Sequence, residues 1–266
     1  MRRLFVVASL GAALVIWGGS AQAISFGVPD GNVHPNVGAL MVDFEGDAEG
    51  PVHICSGTLI DDEVFLTASH CLDFLTEQDE VFVSFAQDVD PAPKASQLHT
   101  GEAVTHPEFG GGFSDTHDVA VVLLDTPIRN IVPAELPSLG LFDTMKSEGT
   151  LEGAQFTAVG YGVQERLNGG GPPSFPYDGL RRRATSTFSS LNDSWLRLSQ
   201  NPSTGDGGTC FGDSGGPNFL GAGAGETDIV ASLTVTGDAV CRSTNTTYRL
   251  DTASARSFLA DFVAVP

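Results

Sequence analysis

No histidine in this chain lies C-terminal to Ser214, and that fact weighs against one class of fold. Ser214 stands in Gly212-Asp213-Ser214-Gly215-Gly216-Pro217. Glycines on both sides let the backbone turn tightly and leave the hydroxyl presented outward. As text the segment fits G-x-S-x-G, the turn on which α/β-hydrolases carry their nucleophile. That fold takes its base from a histidine after the serine. The six histidines are His34, His53, His70, His99, His106 and His117. An esterase-type triad within this chain therefore has no base, which ranks an esterase-type hydrolase low.

The remaining pattern is β-rich. Val81–Phe85, Val119–Leu124, Phe156–Val159, Ile229–Val235 and Thr247–Leu250 are runs of strand length bounded by Gly, Pro or Asp. Regular short strands with such punctuation predict a sandwich or barrel. The repeated β-α-β alternation of a parallel sheet is absent. One segment reads as helix. Phe258, Leu259, Phe262 and Val263 form an apolar stripe that Asp251 or Thr252 can cap. Asn168–Pro173 reads as a surface loop. Arg181-Arg182-Arg183 reads as a solvated or strand-edge cluster. Pro127, Pro133 and Pro137 suggest a link between two halves around 127–145.

Residues 1–23 read as a secretory signal peptide: Arg2 and Arg3, an apolar run Leu4–Trp17, then a small-residue site ending at Ala23. The expected mature chain is 24–266, secreted to an extracellular or periplasmic space and free of membrane once the signal is removed. Four cysteines in an exported chain suggest two disulfides. Three pairings exist for Cys55, Cys71, Cys210 and Cys241, of which the local pairs 55–71 and 210–241 are the simplest. No C-x-x-C and no His pair at i, i+4 occurs, so neither metal nor cofactor is expected. A formal charge of −20 argues against nucleic acid as a partner. Asn192 and Asn245 open N-x-S/T sequons.

A base for Ser214 must come from upstream. His70, in Thr67-Ala68-Ser69-His70-Cys71, follows a β-rich stretch and adjoins a cysteine that can pin it; His106 and His117 are its rivals. The orienting acid should be buried beside the base. Asp118 opens the apolar run Val119–Leu124, where a carboxylate is costly unless paired. Asp115 is its alternative.

These three segments, His then Asp then Ser, resemble the triad motifs of the chymotrypsin-like (trypsin-like) serine endopeptidases, the family of the general triad template. His106-Pro107, Gly160-Tyr161-Gly162 and Tyr248-Arg249-Leu250 are weaker matches. The resemblance implies an all-β fold of two six-stranded antiparallel barrels with a C-terminal helix. The first barrel would span about 24–130, the second about 140–250 and the helix about 252–264. It implies Ser214 as nucleophile, His70 as base and Asp118 as orienting acid. The N–H groups of Gly212 and Ser214 would form the oxyanion hole. Ile24, new at the N-terminus after signal cleavage, would pair with Asp213. The P1 pocket would involve Gly208, Thr209, Ser232, Leu233, Thr234 and Thr246. Gly208 stands where trypsin-type pockets carry an aspartate, Asp206 is expected off the pocket floor, and threonines replace wall glycines. Small or medium uncharged P1 residues are the expectation, with polypeptides as substrate and a monomeric enzyme. A non-catalytic binding protein of the same fold is the rival reading.

Overall fold

The computed structural model describes residues 24–44, 50–112, 114–167 and 174–266. The expected signal peptide and the Asn168–Pro173 loop lie outside the described residues. Among the described residues there are thirteen strands and two α-helices. The first six-stranded antiparallel barrel comprises β2 (Val37–Asp43), β3 (Val52–Asp61), β4 (Val64–Thr67), β5 (Glu80–Ser84), β6 (His99–Thr105) and β7 (Ala120–Leu124). It closes in the order β2-β3-β4-β7-β6-β5. The second comprises β8 (Gln155–Gly160), β9 (Arg182–Leu191), β10 (Trp195–Ser199), β11 (Pro217–Leu220), β12 (Val230–Gly237) and β13 (Thr244–Arg249). Its order is β9-β10-β13-β12-β11-β8, and β8 pairing with β9 closes the ring. The short β1 (Val28–Pro29) adds to β9 from outside.

The unbroken apolar run into β7 follows from period-two geometry. Ala120, Val122 and Leu124 point into the first barrel beside Leu40, Leu59 and Phe65. Val119 and Val121 point the other way, into a core shared with Leu233, Tyr248 and Phe258 of the second half. A strand buried on both faces has no polar face to show. The chain's two halves thus meet across side chains that begin one residue after Asp118.

The C-terminal helix α2 (Ala253–Leu259) is capped by Thr252, whose hydroxyl accepts the Ala255 N–H at 3.2 Å. Asp251 has a different task. Its Oδ2 accepts the Phe142 N–H at 2.9 Å at the start of α1 (Leu141–Glu148), and it pairs with Arg249 at 2.9 Å. Among the described residues, no helix is long and apolar enough to cross a membrane.

The basic cluster corrects the expectation of a solvated feature. Arg181 is 2 % exposed and reaches across to the first barrel, where its Nη1 donates to the Val37 carbonyl at 2.9 Å. Its Nε donates to Asp30 at 3.2 Å and its Nη2 to Asn32 at 2.7 Å. Arg182 is also buried. A guanidinium is removed from water here only because acceptors meet several of its N–H groups.

Candidate active site

His70 sits in a single 3-10 turn, Ser69–Cys71, directly after β4. The Cys55–Cys71 disulfide fastens that turn to β3, and the second disulfide is Cys210–Cys241. The Ser69 hydroxyl donates to the Val119 carbonyl at 2.6 Å, tying the turn to the residue that follows Asp118. Asp118 is 3 % exposed. Its two oxygens divide the work: Oδ2 lies 2.8 Å from His70 Nδ1, and Oδ1 accepts the His70 backbone N–H at 2.9 Å. A carboxylate held at both oxygens fixes ring orientation and favours the proton on Nδ1, leaving Nε2 as the basic nitrogen.

The serine loop is brought to this turn by backbone contacts. The Ser214 carbonyl accepts the Ser56 N–H of β3 at 2.8 Å. Gly215, at φ +73°, presses on the first barrel: a Cβ there would stand 2.6 Å from the Ser56 carbonyl oxygen and 2.8 Å from Ala68 N. Ala68 is two residues before His70, so the glycine requirement places Ser214 beside the histidine turn. Among the described residues no hydrogen bond joins Ser214 Oγ to His70 Nε2, and Cys71 Sγ lies 3.8 Å from Nε2. Both cysteines near His70 are in the disulfide and offer no thiolate to a metal.

Gly212 has φ +96°, open to glycine and strained for other residues. Among the described residues, its N–H and that of Ser214 donate to no protein acceptor. Between them Asp213 is fully buried. Its carboxylate accepts the Gly162 N–H at 2.8 Å and the Cys210 N–H at 2.9 Å. Burial pushes its pKa up to about 7, against the pull of those two N–H groups. Among the described residues, no cation contacts it. Ile24 is also buried, still joined through its nitrogen to Ala23. Ser25 bridges to Gly208. The motif Gly160-Tyr161-Gly162 acquires a reason here: a Cβ at 162 would lie 2.6 Å from the Asp213 carboxylate, and one at 160 would collide with it.

The rivals have other duties. His106 and His117 stack with ring centroids 4.6 Å apart, and the His117 side chain is 18 % exposed. His117 Nδ1 lies 2.8 Å from Ser254 Oγ on α2, and Asp115 accepts the Tyr248 hydroxyl at 2.8 Å. These residues fasten the loop before Asp118 to the second half. Glu108 completes a close trio with the two histidines, one ligand atom of each lying within 4.8 Å of the others.

A cavity of about 180 Å³ opens beside Ser214, lined among others by Thr209, Phe211, Thr234, Thr236 and Asp238. Of the expected pocket residues, Thr209 and Thr234 reach it. Ser232 and Leu233 are fully buried, and the Ser232 Oγ accepts the Thr247 hydroxyl at 2.7 Å. Strand register explains the difference. A β-bulge between Thr234 and Thr236 pairs Thr236, not Thr234, with Thr246. Such a one-residue slip is invisible in sequence. Asp206 is turned away, accepting the hydroxyls of Thr187 at 2.6 Å and Ser199 at 2.8 Å. Asn245 is fully buried, its amide donating to Asn218 at 3.0 Å, which closes that sequon to glycosylation in the folded chain.

A family model described as Trypsin matches residues 32–257. The chain is similar to brachyurin of Leptuca pugilator, 28% identical over 230 residues that cover 83% of this chain and 92% of the crab protein. It is also similar to granzyme M of Rattus norvegicus, 27% identical over 181 residues, and of Homo sapiens, 28% identical over 181 residues. Those matches cover 64% of this chain in each case, and 66% and 65% of the two granzymes.

Proposed function

The chain belongs to the trypsin family and is a serine endopeptidase; on that premise we propose that it cuts polypeptides through Ser214, His70 and Asp118. The observation that carries the reading is the double grip of Asp118 on His70, at 2.8 and 2.9 Å, beside a serine loop that packs on Ala68. Ser214 Oγ adds to the scissile carbonyl carbon while His70 Nε2 takes its proton. The oxyanion is held by the N–H groups of Gly212 and Ser214. One such donor typically contributes roughly 3–4 kcal/mol to the transition state. Collapse breaks the C–N bond, His70 returns the proton to the leaving amine, and water then hydrolyses the acyl-enzyme by the same route reversed. Asp118 keeps the tautomer and stabilises the imidazolium.

The mature enzyme on this reading is a secreted monomer of residues 24–266, released when the signal is cut after Ala23. The freed ammonium of Ile24 then pairs with Asp213. The fully buried carboxylate with a raised pKa supports that step, because a cation is what its site lacks. Thr209, Thr234 and Thr236 line the cavity and support small or medium uncharged P1 residues. Labelling with a serine-directed phosphonate tests the nucleophile. Protein beginning at Ile24 should label at Ser214, and His70→Ala should not. Equal labelling of both would sink the triad assignment, and active protein with another N-terminus would sink the Ile24 step.

A further inference from the structure

The cavity beside Ser214 ends at Thr209 and does not extend to Gly208, one residue further back. Gln200, the residue following β10, packs its side chain against Gly208. It is 1 % exposed. A Cβ built on Gly208 would lie 2.6 Å from Gln200 Cβ and would collide with Gln200 Oε1. The amide is held at both ends. Its Oε1 accepts the Thr209 N–H at 2.9 Å, and its Nε2 reaches Asp238 Oδ1 at 3.4 Å. Asp238 is itself fixed by the N–H groups of Ser243 at 2.8 Å and Thr244 at 2.9 Å. Its loop forms part of the cavity wall. A buried amide with both ends engaged does not swing aside cheaply, because each orphaned group would bear a desolvation penalty.

We propose that Gln200 is a specificity-determining residue, a fixed plug that sets the depth of the P1 pocket. This rests on the endopeptidase reading above and deepens it. Wall threonines limit the width of the P1 side chain; Gln200 limits its length. The plug also accounts for glycine at 208. Any side chain there would compete with Gln200 for one volume. The substrate class is then polypeptides cut after short side chains such as Ala, Ser, Thr or Val.

The test compares kcat/KM for matched peptide substrates with P1 Ala, Leu and Phe. Wild type from Ile24, Gln200→Ala and Gln200→Asn are each normalised to active sites counted with a fluorophosphonate. The plug predicts that wild type prefers Ala. It predicts that the Leu/Ala and Phe/Ala ratios rise by roughly tenfold or more in Gln200→Ala, with a smaller rise in Gln200→Asn. Gln200→Met, which keeps the volume and drops the hydrogen bonds, should keep the wild-type ratios. Unchanged ratios in a variant that labels fully would overturn the proposal. So would a wild type that cuts after Phe as readily as after Ala, whatever becomes of the variants. If Gln200→Ala does not label, the Asn and Met variants decide by the same ratios. A wild type that neither labels nor cuts would instead overturn the endopeptidase reading.

Discussion

His34 and Asp213 are both buried and both ionisable, and the uncut chain completes only one of them. His34 is clasped on two sides, with Nδ1 2.5 Å from Asp30 and Nε2 2.7 Å from Glu226. Arg181 backs Asp30, and Thr157 donates to Glu226. Burial alone would lower the His34 pKa, but the two carboxylates outweigh it and hold it above 6.5. Asp213 is more deeply buried and has two N–H groups and no cation. Its pKa is driven up to about 7. The first cluster is a finished joint between the N-terminal segment and the second barrel. The second would be completed, on the activation step proposed above, by the freed ammonium of Ile24.

The largest expected effect comes from removing the waiting charge. Asp213→Asn in protein that begins at Ile24 should lower kcat/KM at least as far as losing an oxyanion donor, roughly 10²–10³-fold. The same change in the uncut chain should raise stability near pH 8, where the carboxylate is ionised without a partner. A shift from 3.8 to about 7 corresponds to about 4 kcal/mol at most. Denaturant melts of the uncut pair check this, and an uncut chain that Asp213→Asn destabilises at pH 8 would contradict the comparison.

Next in size is the finished cluster. His34→Leu leaves Glu226 and Asp30 short of a cation and should destabilise by about 3 kcal/mol in urea melts at pH 6, at the low end for breaking a buried pair. Little change would mean that Arg181 alone suffices.

The pH dependence separates the two clusters. Asp213 has a raised folded pKa, so the native uncut chain binds more protons than the unfolded one between about 4 and 7. Stability should fall across that window and then level. His34 has a raised folded pKa too, and its contribution is complete below 6.5 and lost as pH rises through the folded value. Asp213→Asn should flatten the slope between pH 4 and 6, and His34→Leu the slope above 6.5. Cutting before Ile24 should abolish the Asp213 slope while leaving that of His34. A smaller effect is expected of Thr236→Gly: wider P1 acceptance with unchanged labelling at Ser214, read from peptide-library cleavage.

The two clusters were also unequally legible. Asp213 lies inside a local motif, where two positive-φ glycines and a serine declare a tight turn. The His34 cluster joins the local pair Asp30–His34 to Glu226 and Arg181 from distant segments, and no local spacing marks those two partners. For the same reason Arg181 reads as solvated in sequence although it spans both barrels. The strand-length apolar runs marked a sandwich or barrel, and the two barrels came from the resemblance of the triad motifs. Helix α2 was readable from Thr252 and from Phe258 and Leu259, but it ends at Leu259, so Phe262 and Val263 of the expected stripe lie past it. Helix α1 was not, because it begins at Gly140 and borrows its cap from Asp251. Thr209 and Thr234, both marked in the sequence, line the cavity beside Ser214, but the bulge after Thr234 and the place of Gln200 against Gly208 are encoded by no motif.

The most direct measurement is a digest of proteome-derived peptides by residues 24–266, with cleaved bonds mapped by mass spectrometry against the Ser214→Ala variant. The account predicts cuts after short uncharged residues that vanish in the variant. Correctly folded protein that starts at Ile24 and makes no Ser214-dependent cuts would contradict it.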